Sequence, residues 1–218
     1  MKRTIAVQGV GNLRRKPDQV EIGLSLETRD LQYDKAMSLS SERIDALNAA
    51  LRAAGFGKDD LKTSAFNVRT EYRSEQDDKG RYHQVFDGYV SRTEMHLVFP
   101  LDMKKLGETL SAIGEAGVDP ELNIRFTVKD PGEVYAELLR EAAANARGKA
   151  EALCAASGVK LGKLQKINYN WAEPPLVSPT RVEAAMGSLR MMKNSFQADM
   201  TPEDIQLSDS AAFVWELE

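Results

Sequence analysis

Apolar and polar residues alternate along Val20-Glu21-Ile22-Gly23-Leu24-Ser25-Leu26-Glu27-Thr28, the period of a strand with one buried face. The same period predicts strands at Thr4–Val10, Leu61–Tyr72, Val85–Phe99, Leu122–Lys129, Leu164–Trp171 and Ile205–Leu217. Between them the spacing changes to three and four. Ala36, Met37, Ser40, Ile44, Leu47, Leu51 and Ala54 predict a helix over Tyr33–Ala54. A second helix is predicted over Met103–Ala116, with Asp102 as its N-cap. A third runs from Asp130-Pro131, a cap followed by an N1 proline, to about Ser157. Each helix meets a glycine at its end (Gly55, Gly117 and Gly158), then a polar connector, then a strand. The recurrence predicts an α+β fold: a mixed, mainly antiparallel sheet with helices packed on it, with room for two sub-lobes.

Two connections are expected to be irregular. Ser74–Gln84 is polar, contains Lys79-Gly80 and reads as the tip of a hairpin. Residues 172–201 hold Pro174, Pro175 and Pro179, then Met186, Met191, Met192 and Met200. This stretch predicts a long excursion with a short helix at Thr180–Met192. Otherwise residues 1–218 read as a single domain.

Composition removes chemistries. The 218 residues carry 29 Lys plus Arg against 33 Asp plus Glu, a net charge of −4, with both signs mixed along the chain. No nucleic-acid partner is expected, because such a surface needs clustered positive charge. One cysteine and two histidines leave no Cys-rich or His-based metal centre. No apolar run approaches the ~20 residues of a membrane span. At the N-terminus Gln8 and Gly9 interrupt the apolar stretch that a signal peptide would need. The chain as it stands is therefore expected in the cytoplasm, or in the periplasm if a leader has been trimmed from it.

The remaining candidates each have a plain structural reading. Gly9-Val10-Gly11 follows a strand, but Arg14 stands where a dinucleotide motif has its third glycine, and no helix follows. A tight turn between strands is expected there, with Asn12–Pro17 as the turn. His83 lies in the polar tip and His96 on a strand face opposite Met95 and Leu97, neither beside an acid or nucleophile. Cys154 falls among small residues of a helix and reads as a buried, inert thiol. Asp59-Asp60 and Asp77-Asp78 lack the spacing of a calcium loop and read as solvated turns. Glu137, Glu141, Arg140 and Arg147 read as an exposed face laced with ion pairs. No cofactor, metal or catalytic residue is expected.

An ordered set of short motifs runs along nearly the whole chain. It opens with Val7-x-Gly9-x-Gly11 and Pro17-Asp18, followed by Ala49-Ala50-Leu51-Arg52-Ala53-Ala54-Gly55 and Lys58-Asp59-Asp60-Leu61-Lys62-Thr63-Ser64. Phe86-Asp87-Gly88-Tyr89-Val90-Ser91 comes next, then Lys105-Leu106-Gly107, Ile124-x-Phe126-x-Val128-x-Asp130-Pro131 and Ala142-x-x-x-Ala146-Arg147-x-Lys149-Ala150. In this order the motifs resemble the SIMPL domain family, a group of unknown function that includes YggE-like proteins and periplasmic immunogenic proteins. The resemblance implies an α+β fold of mixed sheet and packed helices. It also implies self-association, export in most members, and a loose link to oxidative-stress tolerance and signalling. It supplies no catalytic residue. Two departures stand out. The N-terminal residues are not expected to act as a signal peptide, and Thr201-Pro202-Glu203-Asp204-Ile205 replaces the Pro-Gly turn usual before the last strand, so the terminal hairpin is expected to differ.

The function expected from these readings is that of a non-enzymatic, self-associating scaffold or interaction protein. The Met-rich stretch is a possible seat for a protein partner. The alternative is a small-ligand binder or hydrolytic enzyme. It would use Arg69, Tyr72, Tyr89 and Arg92, on the strands flanking the polar tip, as a basic-aromatic surface for an anion or peptide.

Overall fold

The computed structural model describes residues 3–170, 173–184 and 200–218. It confirms the α+β class, with three helices and two sheets. In chain order the elements are β1 (Thr4–Arg15), β2 (Gln19–Asp30), α1 (Tyr33–Ala53), β3 (Leu61–Gln76), β4 (Tyr82–Pro100), α2 (Met103–Glu115), β5 (Glu121–Thr127), α3 (Pro131–Ala156), β6 (Leu161–Tyr169), β7 (Val182–Ala184) and β8 (Ile205–Leu217). The chain divides into two compact units. One comprises Met1–Asp18, Thr127–Pro179 and Pro202–Glu218; the other comprises Gln19–Phe126 and Thr180–Thr201.

The helices form where the spacing predicts, and local chemistry sets their ends. Asp102 accepts hydrogen bonds from the Lys104 and Lys105 amides, and Asp130 accepts one from Glu133, each satisfying donors that the first turn leaves open. Gly55, Gly117 and Gly158 adopt φ of 86°, 68° and 67° after the three helices. That left-handed conformation closes a helix and is strained for other residues.

The unit formed by Gln19–Phe126 and Thr180–Thr201 is built on a five-stranded sheet of order β3-β4-β2-β5-β7. β4 lies antiparallel between β2 and β3, so each βα crossover skips one strand, the split β-α-β arrangement. Val20, Ile22, Leu24 and Leu26 of β2 share a face with Met95, Leu97 and Phe99 of β4. Leu47 and Leu51 of α1 and Leu106, Leu110 and Ile113 of α2 cover that face. Beneath α1 the core turns polar: Thr28, Ser40, Ser91 and Thr93 are all buried. Ser91 donates to Ser40, and Thr28 donates to the Ala36 carbonyl. The Thr93 hydroxyl has no hydrogen-bond partner among the described residues.

The other unit carries a three-stranded sheet of order β1-β8-β6, with α3 across one face. Here the structure corrects one reading. Gly9 and Gly11 are not in a turn; β1 runs unbroken through Arg15 and pairs with β8 along its length. A Cβ on Gly9 would lie 2.0 Å from the Ala142 carbonyl oxygen, and one on Gly11 2.2 Å from that of Leu138. The glycines therefore let the helix backbone rest on the strand. Small residues meet them there: Ala142 and Ala146 are fully buried, and Ala211 pairs with Gly9.

The close approach also closes an edge. β1 is an outer strand, and α3 serves its free backbone groups: Glu141 accepts from the Asn12 amide, Asn145 accepts from the Val10 amide, and Lys149 donates to the Gln8 carbonyl. These residues are four apart on the helix and act in place of a neighbouring strand. Glu141 is exposed, as periodicity predicts, but it serves the β1 backbone and not an ion pair along the helix. Glu137 pairs with Arg15, and Arg147 pairs along the helix with Glu151 at 2.8 Å. Cys154 is buried, as its small-residue neighbours imply.

The tip between β3 and β4 is shorter than expected. The strands continue to Gln76 and from Tyr82, leaving Asp77–Arg81 as the turn. Asp77 accepts from the Lys79 and Arg81 amides and, through its other oxygen, from the Arg81 guanidinium. Val182–Ala184, placed in a short helix by the sequence reading, is instead a strand paired with β5. Residues 185–192 of that expected helix, and most of the Met-rich stretch, lie outside the described residues. Among the described residues no helix is long and apolar enough to cross a membrane.

Candidate functional site

Arg69, Tyr72, Tyr89 and Arg92 all lie on the β3–β4 hairpin, but the register places them on two faces. Arg69 stands opposite Val90 and Arg92 opposite Asn67, while Tyr89 stands opposite Thr70. Opposed residues share a face and successive residues alternate, so Arg69 and Arg92 point one way and Tyr89 the other. A bulge between Glu71 and Tyr72 and the φ of 132° at Gly88 then change the alternation. The result is a run of rings: Tyr72 on Phe86, Phe86 on Tyr89, and Tyr89 on Tyr33 of α1, with centroids 6.0, 5.3 and 5.6 Å apart. All three contacts are edge-to-face, the geometry favoured by ring quadrupoles.

This aromatic run is only partly covered. Tyr72 is 57% exposed, Tyr33 50% and Phe86 40%. β2 pairs with β4 only from Tyr89 onward, so Tyr72–Gln76 and Tyr82–Gly88 form a two-stranded ribbon beyond it. Tyr82, 73% exposed, sits at the end of that ribbon.

The opposite face of the hairpin carries alternating charge. Arg69 lies 3.0 Å from Glu71 and 3.4 Å from Glu27; Arg29 meets Asp87 and lies 3.1 Å from Glu71. The hydrogen bond from Arg69 to Glu71, helped by the charges of Glu27 and Glu71, raises the guanidinium pKa above its usual value. Each arginine is already matched by carboxylates, so the surface is a salt-linked ladder and not a bare cationic patch. Arg92 is held more loosely: its Nε lies 3.4 Å from Glu94 without forming a hydrogen bond, and its Nη2 lies 4.0 Å from Glu121.

Beyond Arg92 the same face opens into a groove of about 1040 Å³. Its floor includes Gly23, Ser25, His96 and Asn123, and Arg92, Glu94, Asp119, Glu121 and Arg125 are among its walls. Sequence reasoning singled out only Arg92 and His96 here. The usable signal was the solvent-side set of β2 and β5, Glu21, Gly23 and Ser25 with Glu121, Asn123 and Arg125, but only the pairing of those strands makes it one surface. The other reactive groups are dispersed: His83 is at the exposed end of the hairpin and Cys154 is on the buried face of α3. Among the described residues no three His, Cys, Asp or Glu side chains are grouped to hold a metal ion.

Two curated relatives are similar over most of the chain. The 26 kDa periplasmic immunogenic protein of Brucella melitensis is 28% identical over 188 residues, covering 86% of this chain and 73% of the relative. Its namesake from Brucella abortus is 27% identical over the same extents. The sequence pattern of the SIMPL family, described as a protein of unknown function (DUF541), matches residues 5–215, and the chain therefore belongs to the SIMPL family.

Proposed function

We propose that this chain is a non-enzymatic, self-associating interaction protein, and that the aromatic face of the β3–β4 ribbon is its contact surface. The observation that carries the reading is the run of rings Tyr72, Phe86, Tyr89 and Tyr33, of which Tyr33, Tyr72 and Phe86 are exposed, leading onto a ribbon that its own sheet does not cover. Exposed aromatic surface of this kind marks association sites, and aromatic anchors dominate their energetics. The dispersal of His83, His96 and Cys154 supports a binding role over a catalytic one, since acid–base and nucleophilic chemistry need such groups within hydrogen-bond reach of one another.

The Brucella relatives are both named as periplasmic proteins, which supports a periplasmic setting for this chain too, over the cytoplasmic one. Stress tolerance in the cell envelope is the physiological role that fits that setting. Peroxide survival of a strain lacking the gene tests it, with restored survival on complementation as the expected result.

Light scattering on the full chain tests the association. A mass that is a multiple of 24.2 kDa is expected. Phe86→Ser with Tyr72→Ser should weaken assembly by at least ~30-fold, the loss of one aromatic anchor of about 2 kcal/mol. A 24.2 kDa particle at all concentrations, or an assembly unmoved by both changes, would overturn the reading.

A further inference from the structure

The groove on the solvent face of the five-stranded sheet is separate from the aromatic ribbon face and needs its own account. Its floor is low because Gly23 has no side chain. A Cβ built there would meet the Asn123 carbonyl oxygen and Cβ at 3.6 and 3.8 Å, ordinary contact, so a side chain would fit and would raise the floor. One wall is the connection after α2. Val118 is buried and anchors it, and Asp119, which lines the groove, is held at φ 47° immediately before Pro120. Left-handed backbone is tolerated best by glycine, Asn and Asp, so Asp suits this position of the connection.

Charge in the groove is of both signs and only partly self-satisfied. Arg92 faces Glu94 and Glu121. Asp119 and Arg125 make no ion pair among the described residues, and Arg125 is exposed. Carboxylates outnumber guanidiniums, Glu21, Glu94, Asp119 and Glu121 against Arg92 and Arg125. No Phe, Tyr or Trp lines the groove, which removes the stacking platform that a nucleobase would use. Ser25 and Asn123 offer hydroxyl and amide groups, both donor and acceptor, which match peptide groups. The volume lies at the upper end of small-ligand sites. Glu121 to Arg125 spans about 13 Å along β5, the reach of four extended residues, and the two residues from Glu121 back to Asp119 add at most about 7 Å, which the long Arg125 side chain can cover.

We propose that this groove binds a short, extended peptide with free termini and a basic side chain. The peptide's carboxylate lies on Arg125, its ammonium on Asp119, and its basic side chain among the surplus carboxylates. The sign pattern excludes a simple anion, which four carboxylates would repel, and a simple cation leaves Arg125 unmatched.

The test uses the full chain and the tetrapeptide Ala-Lys-Ala-Ala, followed by amide chemical shifts. Saturable shifts at Ser25 and Asn123 are expected, with Kd near 1 mM or tighter. Amidating the peptide's C-terminus should weaken binding about tenfold in the parent protein but not further in Arg125→Gln. Acetylating its N-terminus should weaken binding about tenfold in the parent but not further in Asp119→Asn, whose side chain suits the same backbone. Both positions lie outside the apolar core, and unchanged melting temperatures check that the variants fold. Absence of saturable shifts, equal binding of the blocked peptides, or shifts centred on Tyr72 and Phe86 would each overturn the proposal.

Discussion

Replacing Gly9 with alanine adds one methyl group at the place where α3 lies on β1. That methyl would sit 2.0 Å from the Ala142 carbonyl oxygen, 2.7 Å from the Ala146 Cβ and 2.9 Å from the Ala146 amide nitrogen. All three are backbone or Cβ atoms, which no rotamer change can move. The helix must retreat by about 1 Å to restore an ordinary contact. Overpacking of this kind costs about 1–3 kcal/mol. The retreat also stretches the bonds by which Glu141, Asn145 and Lys149 serve β1, now 2.8, 3.1 and 3.2 Å. Each is worth about 1 kcal/mol, and stretching them leaves backbone groups of an edge strand unserved. Alanine recovers about 0.5–1 kcal/mol of the entropic cost of glycine in a strand. The net expectation is a loss of about 3–5 kcal/mol, a large share of the 5–15 kcal/mol that holds a typical domain together.

Urea denaturation followed by tryptophan fluorescence reads this loss. Trp215 stacks on Phe213 at 5.5 Å, in the same cluster as Ala146 and Ala150, and so reports on the unit that contains α3. Gly148→Ala is the control. It lies on the same helix with nothing within 4 Å of an added Cβ, and should stabilise by about 0.5–1 kcal/mol through helix propensity alone. An unfolding midpoint for Gly9→Ala equal to or above the parent's would refute the close-approach reasoning.

Two further outcomes follow from the described contacts. Thr93→Val removes a buried hydroxyl that has no partner among the described residues and keeps its shape; it should stabilise the five-stranded unit by about 1 kcal/mol, measured by thermal melting, and a loss of stability would show that the hydroxyl is in fact satisfied. Asp77 accepts hydrogen bonds from the Arg81 and Lys79 amides and from the Arg81 side chain, which hold its carboxyl below the ordinary 3.8. Its contribution to the turn is therefore complete above pH ~4 and lost as pH falls through the depressed value. Protection of the Lys79 and Arg81 amides, taken relative to the intrinsic exchange rate at each pH, should fall on acidification in the parent and be absent at every pH in Asp77→Ala; protection surviving in that variant would assign the turn to Gly80 alone.

The four hairpin residues singled out as a site illustrate how far local reading reaches. Alternation gives their strands and separates Arg69 from Tyr72 and Tyr89 from Arg92, but which residues of the two strands share a face was not legible. Register opposes Thr70 to Tyr89 and Asn67 to Arg92, so Tyr72 and Tyr89 join one surface and Arg69 and Arg92 another, and the bulge after Glu71 turns Phe86 onto the tyrosine side. Arg69 reads from sequence as a cation open to an anion. Its partner Glu27 comes from β2, which register places across β4, and Glu71 stands two residues along its own strand.

By itself the sequence determined the elements and their ends. The helix and strand periods, the Asp102 and Asp130 caps and the stops at Gly55, Gly117 and Gly158 rest on interactions within a few residues, so a short window contains their physics. Only the tertiary structure decided what distant residues share. Two sheets form where one was the simpler reading; Gly9 and Gly11 meet a helix more than 120 residues away in sequence. Glu141 reads from sequence as part of an ion-paired helix face, and only the docking of β1 shows that it, Asn145 and Lys149 serve that strand's backbone. Val182–Ala184 becomes a strand because β5 offers it an edge. In each case the deciding term is burial or hydrogen bonding across the fold, which depends on what the folded chain brings together and not on the residues alongside.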